Sequence, residues 1–200
     1  MLFKLFIFGI LSLIPTYFLE LFANSFITSG LLAGMNPVVI MLIDNFICVA
    51  LIEECCKYFF LKKGSWNHPA FDYCFDAIVY SVVVSLGFAA VENIMYVFQS
   101  GLHVALLRAV TAIPGHTIFG IFMGHYYGMA KMKERLGDLS ASASFRRKAV
   151  FVPVCLHGFY DFTASMESTL MTAVFFIFII ILDVIAIRSI REYSKMDVHI

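Results

Sequence analysis

The stretch from Asp76 to Phe98 reads DAIVYSVVVSLGFAAVENIMYVF and decides the class of fold. It contains two acidic residues, Asp76 and Glu92, and no basic one. A helix needs roughly 20 mostly apolar residues to cross the hydrocarbon core of a bilayer. The stretch therefore predicts a transmembrane helix that carries the Glu92 carboxylate inside the membrane.

The composition extends this prediction to the whole chain. Of its 200 residues, 61% are hydrophobic and 14% are charged, whereas soluble domains are about half apolar and a quarter charged. The mean hydropathy is +0.88. Fourteen basic and 14 acidic residues cancel, so no charge excess favours nucleic acid as a partner. We expect one integral membrane domain, residues 1–200, whose partner is the lipid bilayer.

Six stretches are long and apolar enough to span a membrane. They are Leu2–Phe22, Pro37–Leu61, Asp76–Phe98, His103–Ala130, Ala149–Met166 and Leu170–Ile187. Twelve of the 14 Lys and Arg residues lie near the N-terminus, at 62–63, in 131–148 and after residue 187. The positive-inside rule then predicts an all-α polytopic bundle of about six transmembrane helices with both termini in the cytoplasm. The Ser-rich stretch 140–144 is expected to be a solvated linker.

Ionisable side chains interrupt four of these predicted helices. Each costs on the order of 2.5–3.5 kcal/mol on insertion scales, so such groups usually face the bundle interior. They are Glu53, Glu54, Lys57, Glu92, His116, His157 and Asp161. We expect them to share one hydrated polar cavity.

The spacing within two helices suggests how these groups interact. Lys57 follows Glu53 by four residues and Glu54 by three, so its ammonium can reach a carboxylate one turn away. One cation neutralises one carboxylate, and the second is left either to be protonated or to act as a base. Asp161 follows His157 by four residues and can fix the imidazole tautomer. An internal ion pair and a buried His–Asp contact are the purely structural explanations.

His116 shares a helix face with Gly120 and Gly124, a stripe of small residues that lets another helix approach closely. At 1.5 Å per residue, His116 and Glu92 come out roughly 20 Å from the cytoplasmic end, whereas Glu53 comes out at roughly 13 Å. A tilted or kinked helix would bring these groups together. Otherwise the polar residues form two layers.

These residue types meet the requirements of peptide hydrolysis inside a membrane. The reaction needs a water, a base, donors for the developing oxyanion and an acid for the leaving amine. A glutamate can serve as the base, and two histidines can serve as donors and acid. Zinc is the alternative, since two His and two Glu are acceptable ligands, although the chain has no HExxH helix. The zinc set would be Glu53, Glu92, His116 and His157. No other cofactor is indicated.

Four motifs occur in order along the chain. Glu53-Glu-Cys-Cys-Lys57 looks like EExxK, Phe88-Ala-Ala-Val-Glu92-Asn93 looks like FxxxEN, His116 follows, and His157-Gly-Phe-Tyr-Asp161 looks like HxxxD. Together they resemble the PrsW family of membrane proteases. The match runs from about residue 50 to 162, inside a motif-bearing core of about residues 37–166.

The resemblance implies a membrane-embedded endopeptidase in a multi-pass protein of the bacterial cytoplasmic membrane. It implies the first (site-1) cut in a single-span membrane substrate such as an anti-sigma factor, as part of a stress response. The family is similar to the CAAX prenyl proteases and the bacterial CPBP group, which share paired Glu and His residues.

The same resemblance distributes the roles. Glu53 is the base and Glu54 its partner, while His116 and His157 stabilise the transition state. Asp161 takes the place of the last Asn or Asp of those relatives. The CAAX-type pattern has His where this chain has Glu92, so the role of Glu92 is left open between second acid/base and metal ligand. Lys57, Phe88 and Asn93 are supporting residues.

Two other classes of function use similar residues. Proton-coupled transporters and channels also relay protons through intramembrane Glu and His. However, the sequences of residues 1–100 and 101–200 show no clear correspondence to each other, whereas the repeats of transporters do. A non-catalytic scaffold with a buried polar network is the third hypothesis.

Overall fold

The computed structural model describes residues 1–30, 32, 34–195 and 197–200, and within them the regular structure is helical. The helices are α1 (Leu2–Thr28), α2 (Pro37–Ile43), a π-helical segment (Asp44–Leu51), α3 (Ile52–Ser65), α4 (Cys74–Ser100), α5 (Leu102–Arg135), α6 (Leu139–Ser165) and α7 (Thr169–Lys195). Helix α2, the π-helical segment and α3 follow one another without a break. The described residues thus contain six long helical stretches, one for each predicted span, and the predicted helical membrane bundle is confirmed.

The prediction of a linker at 140–144 is wrong, because α6 begins at Leu139. The side chain of Asp138 accepts a hydrogen bond from the backbone N–H of Ala141 at 2.9 Å. This contact caps the helix at a point where four backbone N–H groups have no partner within the helix. Helix α6 therefore runs well beyond the apolar stretch that predicted it.

Four helices, α1, α4, α5 and α7, are long and apolar enough to cross a membrane by length and composition. Large apolar side chains point outward from the bundle, among them Phe98, Val110, Phe151 and Leu170. Helix α7 lies at the periphery, where its buried residues are Leu182 and Ala186. A lipid environment is the solvent that such a surface requires.

Both ends of the chain lie at the same end of the bundle. Trp66, Phe71, Ala149 and Ile200 belong to one cluster of buried residues, and Met1 packs against it. The backbone N–H of Ile200 also donates to the carbonyl of Asp72 at 2.6 Å. An even number of crossings requires this arrangement.

Glycines allow α4 to lie directly against α1 and α5. A Cβ on Gly9 would overlap the carbonyl of Val84, and one on Gly87 would overlap the carbonyl of Phe6. On α5, a Cβ on Gly124 would lie 2.6 Å from the carbonyl oxygen of Ala77. The predicted close approach at the glycine stripe is confirmed, and the helix that approaches is α4.

The π-helical segment stands directly before the two glutamates of α3. Its Phe46 ring lies where a Cβ on Gly158 of α6 would be, and Asn45 Oδ1 accepts a hydrogen bond from Ser165 Oγ at 3.3 Å. A π turn contains more residues than an α turn, so it shifts which side chains face the bundle. The segment thus seats the start of α3 against α6.

Candidate functional site

The first turns of α3 place Glu53, Glu54 and Lys57 inside the bundle, each no more than 4% exposed. The Lys57 ammonium donates to Glu53 Oε2 at 3.0 Å and to Glu54 Oε1 at 2.8 Å. Its third contact is His116 Nδ1, at 3.1 Å. An ammonium has three N–H donors, and each of them has an acceptor here. Lys57 therefore binds both glutamates, whereas the sequence predicted that one would be left over.

His116 reaches the group from α5 and is 3% exposed. Its Nε2 lies 3.0 Å from Glu92 Oε2, and its Nδ1 faces Lys57. A carboxylate only accepts hydrogen bonds and an ammonium only donates them. These partners assign the proton of His116 to Nε2 and leave the lone pair on Nδ1.

His157 enters from α6 and lies between two carboxylates. Its Nδ1 is 2.9 Å from Glu54 Oε1, and its Nε2 is 3.1 Å from Asp161 Oδ2. The same Nε2 lies 3.9 Å from Glu53 Oε2. Because both ring nitrogens face carboxylate oxygens, both can donate, an arrangement that suits the imidazolium form.

Glu92 lies on the far side of His116 from the two glutamates of α3. Besides the His116 ring, its Oε2 accepts a hydrogen bond from Arg108 Nη2 at 2.7 Å. No Lys or Arg lies within one turn of Glu92 in the sequence, so a compensating charge must come from another helix or from a ligand. Arg108 of α5 provides that charge.

The two supporting residues of α4 differ in what they contact. Phe88 is 1% exposed, and its ring centroid lies 4.2 Å from Lys57 Nζ, so it packs directly on the buried ammonium. Asn93 donates instead to the carbonyl of Ala105 at 3.3 Å and ties α4 to α5.

A cavity of about 650 Å³ borders the group. Glu53, Glu92 and Asp161 line it, together with Arg108 and apolar side chains from α1 and α7. Glu54, His116 and His157 lie behind this wall. Three of the seven residues expected to share a cavity thus line this one, and Glu53 is the glutamate of α3 that faces it.

The sequence reasoning missed Glu20 of α1, which also lines this cavity. Its Oε1 is buried and has no hydrogen-bond partner among the described residues. The signal was available, because Glu20 is an acidic residue inside the first predicted span. Arg108 also lies inside a predicted span, His103–Ala130, but its pairing with Glu92 depends on how α4 and α5 pack.

The side chains that could hold a metal are Glu53, Glu54, His116 and His157, whose nearest ligand atoms all lie within 4.8 Å of one another. Their donor types suit zinc. However, Lys57 Nζ lies within 3.1 Å of atoms of Glu53, Glu54 and His116. An ammonium bound to three of the four ligands and a zinc ion exclude each other, so these side chains can hold zinc only after Lys57 has moved away. Glu92, expected among the zinc ligands, lies outside the group.

Comparisons with known proteins show what the chain is similar to. The model of a protein family described as "PrsW family intramembrane metalloprotease" matches residues 1–187. A protein named Protease PrsW from Halalkalibacterium halodurans is 32% identical over an alignment 198 residues long, which covers 97% of this chain and 84% of the relative. Its namesake from Geobacillus kaustophilus is 35% identical over 79% of this chain and 64% of its own length. No solved structure matches the chain significantly.

Proposed function

Because this chain belongs to the PrsW family of intramembrane metalloproteases, we propose that Glu53 is the base that activates water for peptide hydrolysis within the membrane. Membership of this family identifies the chain as an intramembrane protease, so the transporter and scaffold hypotheses are no longer supported. The single domain over residues 1–200, with its motif-bearing core at about 37–166, is part of this proposal.

The observation that carries the proposal is the position of Glu53. Its carboxylate lines the cavity, while the one oxygen that Lys57 holds is fixed at 3.0 Å from the ammonium. A base must lie within hydrogen-bond reach of the water it deprotonates, and only a group in the cavity wall can meet a water beside a substrate. Glu54 is fully buried and absent from that wall, which suits the role of a partner.

The reaction then proceeds in two balanced steps. Glu53 takes a proton from water, and the hydroxide adds to the scissile carbonyl carbon to give a tetrahedral oxyanion. The oxyanion collapses, the C–N bond breaks, and the amine leaves with the proton that Glu53 holds. The same proton thus moves from the water to Glu53 and then from Glu53 to the amine, over a short distance in each step.

His157 is the proposed source of positive charge for the developing oxyanion. Asp161 lines the cavity beside Glu53, and its carboxylate holds His157 Nε2 at 3.1 Å. Because both ring nitrogens of His157 face carboxylates, its imidazolium form stabilises the oxyanion by its charge from behind the cavity wall and not by a hydrogen bond. His116, Glu54 and Lys57 act from behind by fixing the position of the base.

The proposed reaction does not use zinc, because Lys57 contacts three of the four residues that would bind the ion. The chemistry that zinc supplies in other proteases, activation of a bound water, falls here to Glu53.

We further propose that the substrate is a single-span membrane protein, such as an anti-sigma factor, and that this protease makes the first cut. The cavity suits a transmembrane peptide as substrate, since apolar side chains such as Leu13 and Phe176 line it beside its polar residues. The membrane would be the bacterial cytoplasmic membrane, where the basic end of the bundle faces the cytoplasm.

Glu53→Ala and Glu53→Gln test the proposal in liposomes that contain the purified protein and a candidate anti-sigma factor. We expect the cleavage rate to fall at least about 10²-fold in both variants. Mass spectrometry of the fragments measures it. Glu167→Gln is the matched control, because Glu167 is an exposed carboxylate outside the group. Full cleavage by Glu53→Ala in protein with a native melting temperature would refute the role of Glu53.

A further inference from the structure

Arg108 is a charged side chain of the cavity wall that no motif includes. Its guanidinium carbon lies 3.6 Å from the ring centroid of Tyr96, and its Nη2 lies 2.7 Å from Glu92 Oε2. Both partners belong to α4, while Arg108 belongs to α5. The guanidinium is therefore held from two directions, by an aromatic face and by a carboxylate.

The Glu92 oxygen that receives Arg108 also receives His116. The two contacts, 2.7 Å from Arg108 Nη2 and 3.0 Å from His116 Nε2, end on the same Oε2 atom. A carboxylate fixed in this way keeps its acceptor in front of the ring nitrogen. Without the guanidinium, the carboxylate would be free to rotate and would lie partly buried without a counter-charge.

The contact then continues inward to the base. His116 Nε2 donates to Glu92, so Nδ1 carries the lone pair that accepts from Lys57 at 3.1 Å. Lys57 in turn holds Glu53 at 3.0 Å. An unbroken series of charged or hydrogen-bonded contacts thus joins Arg108 to Glu53 through Glu92, His116 and Lys57.

We propose that Arg108 is a positioning residue for hydrolysis, which fixes Glu92 so that His116 keeps its proton on Nε2 and presents Nδ1 to Lys57. This inference rests on the proposed role of Glu53 as the base. A pair that served only to neutralise two charges would affect the stability of the bundle and leave the His116 tautomer and the turnover of folded enzyme unchanged.

Kinetics in proteoliposomes are the first test, with Arg108→Met, Arg108→Lys and Glu53→Ala as variants. Arg135→Met is the matched control, since Arg135 is exposed on the same helix. We expect Arg108→Met to lower kcat about 10- to 100-fold, the scale of a small displacement of a reacting group, with KM unchanged. Arg108→Lys should recover part of that loss. Wild-type kcat in Arg108→Met, alongside inactive Glu53→Ala, would overturn this inference and leave the proposed role of Glu53 intact.

Nitrogen NMR of histidine-labelled protein is the second test, and it does not depend on activity. His116, assigned by its disappearance in His116→Gln, should show a single Nε2–H tautomer in the wild type and in Arg135→Met. In Arg108→Met we expect a mixture of tautomers, and Arg108→Gln replaces that variant where it does not accumulate. An unchanged His116 spectrum would overturn the inference, and would do so even if Glu53→Ala proved active and the proposed base had to be abandoned.

Discussion

At the scale of single residues, Lys57 is the centre of the site. Its three N–H donors are all used, by Glu53, Glu54 and His116. Both glutamates approach it from its own helix, so a single cation holds two carboxylates that would otherwise repel each other. The buried cation thereby sets the distance between the proposed base and its partner.

The Lys57→Met variant should be less stable than the wild type, because the substitution leaves two buried carboxylates without a counter-charge. We expect a loss of about 3–5 kcal/mol in the free energy of unfolding, measured by denaturant or thermal unfolding in lipid–detergent mixtures. Lys63→Met, on the same helix and exposed, should leave it unchanged. A double variant with Glu54→Gln should recover part of the loss. A wild-type unfolding curve for Lys57→Met would contradict the ion pairs described here.

The sequence predicted every motif residue of the site but only part of its pairing. The contacts of Lys57 with the glutamates follow from helical spacing, since three and four residues make one turn. The distribution of three donors over three acceptors does not, because His116 is separated from Lys57 by 59 residues. Glu20 was missed for a similar reason: its relevance depends on α1 bordering the cavity.

At the scale of helices, close backbone contacts bring the charged residues together. Gly120, Gly124 and Gly128 form the face of α5 that lies against α4. This contact sets the level at which His116 of α5 meets Glu92 of α4. The depth estimate left open whether His116 meets the residues of α3, and the 3.1 Å contact between His116 Nδ1 and Lys57 Nζ shows that it does, since ideal rises along separate helices take no account of helix tilt.

Gly124→Ala should destabilise the bundle, because the added methyl would meet the backbone of Ala77 and Ile78. A rigid backbone cannot yield as a side chain does, and overpacking of this kind costs about 1–3 kcal/mol. Gly115→Ala is the matched control on α5, where the new Cβ would lie 3.6 Å from the Tyr160 ring, an ordinary contact. Melting temperatures of the two variants make the comparison, and equal values would refute the proposed packing.

The two elements that the sequence did not predict are the π-helical segment and the early start of α6. Periodicity does not distinguish a π turn from an α turn over eight residues. The polar stretch 140–144 resembles a loop in composition, and the cap at Asp138 acts against that composition. The π-helical segment nevertheless contributes to the site, as its Phe46 and Asn45 contact α6 directly before α3 begins.

At the scale of the whole molecule, the site carries its own cation. Lys57, Arg108 and the ring of His157 lie among Glu53, Glu54, Glu92 and Asp161, so opposite charges alternate throughout the group. Alternation of this kind lowers the cost of keeping charges inside a membrane. The molecule therefore reaches a stable arrangement of charges with Lys57 in the middle.

Metal analysis tests this arrangement directly. We expect the purified wild-type protein to contain substoichiometric zinc by elemental mass spectrometry and to keep its cleavage activity in a strong chelator. Lys57→Met, which frees three of the four side chains, should bind more zinc than the wild type. Stoichiometric zinc in the wild type, with activity lost to the chelator and restored by zinc, would instead require Lys57 to leave the group.

The amino-acid sequence by itself determined the helical membrane fold, its six long helices and the identity of the polar residues inside them. Those properties are local, since apolar runs, charge positions and helical spacing belong to short segments of chain. The tertiary structure alone decided which charges on different helices are partners. Glu54 and His157 are 103 residues apart and Glu92 and His116 are 24 apart, and their contacts depend on how whole helices tilt and pack.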